Sequence, residues 1–256
     1  MSAIRTFREE IFSADGRSLT LFRKGTGPAV ILLHELPGLT VETVEFAELI
    51  VEGGFHVVMP LLFGAPLQNP MIGLLKSPVM CIRREFNNLA ADKSSPITAS
   101  LRVLCRKLHG EHGGPGVGAI GMCYTGGFIF AMMVERSLVA PVTAQPSLPL
   151  FQPAALDVEP EKLMAASHRD DAAPLLGLRF EDDGRCPAAR FESLQAALGA
   201  GPGSVGRFRP VVIPGRGHST LTFDYQAAFD RGVDTRDLVL QHLRARLFPI
   251  DHSGLP

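Results

Sequence analysis

The sequence predicts an α/β fold, a mostly parallel central sheet with helices on both faces. Three observations carry that prediction. Apolar runs of strand length recur at 29–33, 55–62, 139–144, 174–180 and 208–213, and another begins at Val117. Segments of helical period lie among them, at 42–52, 188–198 and 235–247. The alternation of these strands with helices argues a mostly parallel sheet covered on both faces.

The elements follow in order. Residues 7–13 and 18–23, parted by Asp15-Gly16, predict a hairpin. The strand at 29–33 runs into His34-Glu35-Leu36-Pro37-Gly38. Glu42, Glu45, Glu48 and Glu52 mark the wet stripe of the next helix, with Val44, Ala47 and Val51 inward, and Gly53-Gly54 stops it before the strand at 55–62. An irregular stretch covers 64–94. Ser95 then caps a helix that has Pro96 at its first position and Ile97, Leu101, Cys105 and Leu108 on one face.

After the strand at Val117, Ala119 and Ile120, a sharp turn leads into a buried helix from Phe128. The strand at 139–144 precedes a proline-rich loop, 145–160. The strand at 174–180, the helix at 188–198 (Phe191, Leu194 and Leu198 inward), the strand at 208–213 and the helix at 235–247 (Val239, Leu243 and Leu247 inward) complete the set. No internal repeat, low-complexity segment or linker divides the chain, so residues 1–256 are expected to form a single domain.

Composition narrows the function. Lysine plus arginine (25) nearly balance aspartate plus glutamate (26), so no net field favours nucleic acid or an anionic membrane as partner. Residues 1–10 are charged and lack the apolar centre of a signal peptide, and no apolar run reaches bilayer length, so a cytoplasmic protein is expected. Four cysteines, Cys81, Cys105, Cys123 and Cys186, form no C-x-x-C pair and no metal-ligand spacing. His109 and His112 read as part of a glycine-rich loop with no third ligand beside them, so no metal is expected there.

The turn Gly121-Met122-Cys123-Tyr124-Thr125-Gly126-Gly127 carries the chemistry. Small residues two before and two after Cys123, between a buried strand and a buried helix, have the pattern of a nucleophile elbow, here with cysteine as the reactive residue. The thiolate is the nucleophilic form, free cysteine has a pKa of about 8.5, and a helix amino terminus favours the charged sulfur. An acid and a histidine follow at the ends of later strands: Glu181-Asp182-Asp183 ahead of Cys186-Pro187, then Pro214-Gly215-Arg216-Gly217-His218. The order nucleophile, acid, histidine is that of α/β-hydrolases. Asp182 and Asp183 compete for the role of acid, either could instead cap the helix from 188, and the spacing to Pro187 favours Asp183.

These residues resemble the dienelactone hydrolase family, a cysteine-using branch of the α/β-hydrolase fold. The elbow matches, as do Asp183 four residues before Pro187, Glu35 closing an early strand ahead of Leu36-Pro37-Gly38, and His218 in order; the resemblance spans roughly 29–247. It implies hydrolysis of a small ester or lactone through an acyl-cysteine intermediate, without metal or cofactor. It further implies Cys123 as nucleophile, His218 as base, Asp183 as its orienter, Glu35 as the glutamate that contacts the thiol, and the Leu36 and Tyr124 backbone N–H groups as the oxyanion hole. Two departures stand out. Family members acting on carboxylated lactones place an arginine shortly after the histidine, where this chain has Ser219-Thr220-Leu221-Thr222, and Thr125 replaces the commoner glycine of the elbow.

Bland readings stand beside these: a buried structural cysteine, a solvated loop histidine, and an exposed loop carboxylate at Glu35. Arg83-Arg84 is either a solvated surface pair or a clamp for a substrate anion. Two other functions use the same residues, a thioesterase or other acyl hydrolase on the same triad and a hydrolase-fold module that binds a small molecule without turning it over.

Overall fold

The computed structural model describes residues 3–67, 96–147, 154, 156, 158–167, 174–199 and 206–248. Arg83, Arg84, Cys81 and the Ser95 cap lie outside the described residues. Eight strands form one sheet: β1 (Arg8–Ala14), β2 (Arg17–Lys24), β3 (Ala29–Leu33), β4 (His56–Leu61), β5 (Val117–Met122), β6 (Leu138–Ala144), β7 (Leu175–Phe180) and β8 (Phe208–Ile213). Their spatial order is β1-β2-β4-β3-β5-β6-β7-β8. The hairpin β1–β2 and the β2–β4 pair are antiparallel; every pair from β4 to β8 is parallel.

The central strands β3, β5 and β7 are buried along their whole length. Alternate residues of one strand serve opposite cores: Ala29, Ile31 and Leu33 of β3 pack on one face, Val30 and Leu32 on the other. The first face is covered by α2 (Pro96–His112), α3 (Gly126–Met132) and α5 (Ala188–Gly199), which contribute Ile97, Leu101, Leu104, Phe130, Phe191 and Leu194. The second is covered by α1 (Val41–Glu52) and α7 (Thr235–Leu247), through Val44, Phe46, Ile50, Val239 and Leu243. Truncating such a buried leucine to alanine costs about 2–5 kcal/mol.

The expected strands and long helices are present, some with bounds shifted by one or two residues. Three features differ. Helix α2 continues to His112, so His109 and His112 occupy its last turn rather than a loop. His112 stacks on the His56 ring at 4.4 Å, and His109 bonds the Gly114 carbonyl. Two short helices, α4 (Pro160–Ser167) and α6 (Tyr225–Phe229), are absent from the sequence reading. Among the described side chains of α4, Leu163 and Ala166 are the buried ones, and α6 has five residues, too few to display a period. No helix among the described residues is long and apolar enough to cross a membrane.

Candidate active site

β3, β5, β7 and β8 are parallel, so their carboxyl ends open on one edge of the sheet, and each hands a polar residue to that edge. β5 delivers Cys123, whose φ of +53° lies in the left-handed region that a side chain with a Cβ occupies only under strain. The chain then tightens through a 3₁₀ turn, Cys123–Thr125, into α3. Crowding explains the small neighbours: a Cβ at Gly121 would stand 2.4 Å from the Thr125 carbonyl oxygen. Thr125 is accommodated because its hydroxyl is employed. It accepts from the Met122 N–H at 3.0 Å and shares its proton between the carbonyls of Met122 (3.0 Å) and Leu33 (3.1 Å). This ties the elbow to β3.

His218 Nδ1 donates to Asp183 Oδ2 at 2.7 Å, and the two side chains are 4% and 2% exposed. Asp183 Oδ1 also accepts from the Arg185 N–H at 2.9 Å, whereas Asp182 is exposed. Asp183 is therefore the carboxylate brought to the histidine. Burial is the largest single influence and works against charge on either partner, but their mutual hydrogen bond, together with the neighbouring charges and hydrogen bonds, outweighs it. Asp183 is held below the usual carboxylate range, and His218, also favoured by the Cys123 sulfur beside it, is raised to about 9. With Nδ1 committed to Asp183, the buried Nε2 has no hydrogen-bond partner among the described residues.

Glu35, at the end of β3, is 1% exposed, which removes the solvated-loop reading. Its carboxylate accepts from Ser219 Oγ at 2.8 Å, from Gln145 Nε2 at 3.4 Å and from the Thr222 hydroxyl. All three donors are neutral, and burial raises its pKa in spite of them. Donor atoms of Glu35, Cys123 and His218 lie within 4.8 Å of one another, the trio that could hold a metal ion among the described residues. Their nearness also lets a proton pass between sulfur and imidazole beside a buried carboxyl.

Leu36 and Tyr124 directly follow Glu35 and Cys123, and β3 and β5 pair with Leu33 opposite Gly121, so both backbone amides belong to the same end of neighbouring strands. Of the expected site residues, Cys123, Asp183, His218 and Glu35 are brought together, with Leu36 and Tyr124 adjoining them. Arg83 and Arg84 lie outside the described residues. A polar cleft of about 790 Å³ along the acid and histidine loops is lined by Asp182, Asp183, Arg185, Arg216, His218 and Asp224. A second cavity of about 690 Å³ lies between α5 and β8, lined by Phe191, Phe208, Pro210 and Val212 among others.

Three residues of the site escaped the sequence reading. Asp224 Oδ2 accepts from the backbone N–H groups of both His218 (2.7 Å) and Ser219 (3.0 Å). Gln145 joins Glu35 to Thr220, whose N–H and hydroxyl both donate to its side-chain oxygen. Ser147 Oγ lies 3.1 Å from Cys123 Sγ. The signal for the last two was the end of the strand at 139–144, since the rule that picked Glu35, Asp183 and His218 applies equally there.

The model of one protein family, the dienelactone hydrolases, matches residues 18–204. The chain belongs to the dienelactone hydrolase family. As a member it is a hydrolase of the ester and lactone type. Among proteins of curated function, none matches the sequence significantly. Solved structures resemble it over nearly their full length. A dienelactone hydrolase from Anabaena variabilis is 16% identical, with 95% of this chain and 100% of that one covered and a TM-score of 0.61. A cold-adapted esterase from an Arctic intertidal metagenomic library is 16% identical, with 94% of each chain covered and a TM-score of 0.63. A dienelactone hydrolase-like promiscuous phosphotriesterase from metagenomic libraries is 14% identical, with 92% and 98% covered and a TM-score of 0.64. At these identities the likeness concerns the α/β-hydrolase fold, which this dienelactone hydrolase family member shares with them.

Proposed function

We propose that the protein cleaves a small ester or lactone through an acyl-cysteine intermediate, with Cys123 as nucleophile, His218 as base and acid, and Asp183 as the orienter of His218. The observation that carries the reading is a thiol at a strained elbow facing an imidazole whose other nitrogen is bonded to a buried carboxylate at 2.7 Å. Asp183 accepts from Nδ1 and so leaves Nε2 toward the sulfur, the tautomer that general-base catalysis requires.

The steps follow from that geometry. Nε2, whose raised pKa lets the imidazole hold a proton at neutral pH, takes that proton from the thiol, and the thiolate of the resulting ion pair attacks the carbonyl carbon. The oxyanion accepts from the Leu36 and Tyr124 N–H groups; losing one such donor typically costs about 3–4 kcal/mol. As the intermediate collapses, Nε2–H returns the proton to the leaving alkoxide. Water, activated by the same nitrogen, then attacks the acyl-cysteine and releases the acid.

Glu35 sits beside the sulfur and disfavours its charge until substrate binds. Thr222, in the segment where family members place a carboxylate-binding arginine, instead donates to Glu35. This supports substrates that carry no carboxylate at that end.

The test is turnover of p-nitrophenyl acetate and of uncharged lactones by purified protein. Wild type is expected to gain one acetyl group, found by mass spectrometry on the peptide carrying Cys123. Cys123→Ala is expected to be inactive yet folded, and Cys123→Ser weak, because a site shaped for a thiolate leaves an alkoxide poorly activated. Full activity in Cys123→Ala would overturn the reading; faster turnover of acyl thioesters than of esters would move it to a thioesterase.

A further inference from the structure

Cys123 is clasped by a residue that the proposed steps do not use. Ser147 Oγ lies 3.1 Å from Sγ, and the Ser147 N–H donates to the Cys123 carbonyl at 3.2 Å. The clasp is built rather than incidental. β6 lies beside β5, and just past its end Gln145 takes a φ of +39°, a left-handed bend that turns the chain back over the elbow. The Gln145 N–H is fixed to the Leu178 carbonyl at 2.7 Å, and its side chain to Glu35 and Thr220. Pro146 packs so closely on Gly126 that a Cβ there would stand 3.0 Å from the proline Cα. Ser147, 8% exposed, is the outcome of that bend.

The sulfur's other neighbours make such a hydroxyl useful. Glu35 from the end of β3 sets a buried carboxyl beside the sulfur, with the Asp183 carboxylate behind His218, and carboxylates so placed disfavour negative charge on sulfur. His218 offers a donor to the sulfur only after it has taken the proton. A serine hydroxyl can turn either way. It accepts from the neutral thiol and donates to the thiolate.

We propose that Ser147 is a further catalytic residue, a hydroxyl that donates to Cys123 Sγ whenever the sulfur is charged. The inference rests on Cys123 being the nucleophile. Ser147 keeps its own proton throughout: the thiol proton passes to His218 Nε2, and the Ser147 O–H turns to the anion. In the acyl-enzyme the sulfur is a poor acceptor and the bond loosens. When the second tetrahedral intermediate collapses, the C–S bond breaks, its electron pair returns to sulfur, and Ser147 again receives a charged acceptor. The hydroxyl thus favours both the attacking and the departing thiolate over the thioester.

Three variants and three readouts test this: Ser147→Ala, Ser147→Val and Ser147→Thr, with the pH profile of Cys123 alkylation by iodoacetamide, kcat and KM on p-nitrophenyl acetate, and the melting temperature. Hydrogen bonds to charged groups are strong enough that kcat should fall about tenfold in Ser147→Ala and Ser147→Val. The alkylation midpoint should rise by about one pH unit, with KM within about twofold of wild type. Ser147→Thr should restore most of both. The Val and Thr variants share a shape, so a difference between them reports the hydroxyl even where Ser147→Ala folds poorly. If Val and Thr behave alike, or a folded Ser147→Ala keeps the wild-type profile and kcat, Ser147 is only a wall of the site and the inference is wrong. Activity surviving in Cys123→Ala is a different result, which removes the nucleophile and the function built on it.

Discussion

His218 Nδ1 stands 2.7 Å from Asp183 Oδ2, while the adjacent carboxylate of Asp182 is exposed. Neighbouring residues of identical chemistry are thus sorted by one step of backbone direction. Asp183→Asn should lower kcat by up to about four orders of magnitude, because an amide can present N–H to Nδ1 and reverse the tautomer. Asp182→Asn should stay within about twofold of wild type. Steady-state kinetics of the pair decide it, and a crippled Asp182→Asn would show the acid to be misassigned.

Asp224 holds the histidine from its backbone, accepting from the His218 and Ser219 N–H groups. It touches no reacting atom, so it is a positioning residue. Asp224→Ala should lower kcat about tenfold or more with KM little changed, since a small displacement of the base affects the transition state more than binding. Asp224→Asn, which keeps an oxygen acceptor, should recover much of the loss. Equal loss of kcat and stability in both variants would mark Asp224 as merely structural.

Glu35 and the thiol oppose each other for negative charge in a buried space. Burial raises the pKa of Glu35, and an ionised Glu35 in turn disfavours the thiolate. Glu35→Gln should therefore lower hydrolysis yet speed alkylation of Cys123 by iodoacetamide at neutral pH. The opposed directions separate this coupling from simple damage to the site, which would slow both. Alkylation and turnover both at wild-type rates would exclude Glu35 from the mechanism.

The buried histidines give stability a sign with pH. His34 donates from Nδ1 to the Glu35 carbonyl and accepts at Nε2 from the Leu62 N–H, so both nitrogens are satisfied in the neutral ring. Burial lowers His34 and His242 to about 4. The unfolded chain takes those protons first as pH falls, so their stabilisation is complete above about 6.5 and is lost between about 6.5 and 4, by a few kcal/mol in all. His218, raised to about 9, runs the other way: its contribution is complete below about 6.5 and is lost as pH climbs toward 9. The raised Glu35 adds some stability as it protonates, opposing two histidines with one carboxyl. The urea midpoint should thus peak near pH 6.5, and His242→Gln should flatten the acid limb. A midpoint that keeps rising from pH 6.5 to 4.5 would contradict this assignment.

Local chemistry made much of the molecule legible. β3 is a continuous apolar run between turn residues, β8 is a short run of mostly apolar residues ahead of Pro214-Gly215, and α7 shows its buried stripe at helical spacing, so 29–33, 208–213 and 235–247 can be read from the chain. Gly121, Cys123 and Thr125 report the elbow because a sharp corner excludes bulk at fixed offsets, and the order Cys123, Asp183, His218 follows from the same strand-end logic. The packing between separate segments was not legible. Which aspartate meets His218 depends on how the acid loop curls around the Arg185 N–H, and the burial of Glu35 depends on Ser219, Thr222 and Gln145 arriving from far along the chain. Ser147 reaches the sulfur only because β6 lies next to β5 and Gln145 bends the chain back. Sequence patterning determines which residues stand at strand ends, since burial and period act over a few neighbours. Sheet order and loop direction decide which of those ends meet, because they arise from contacts among segments a hundred residues apart.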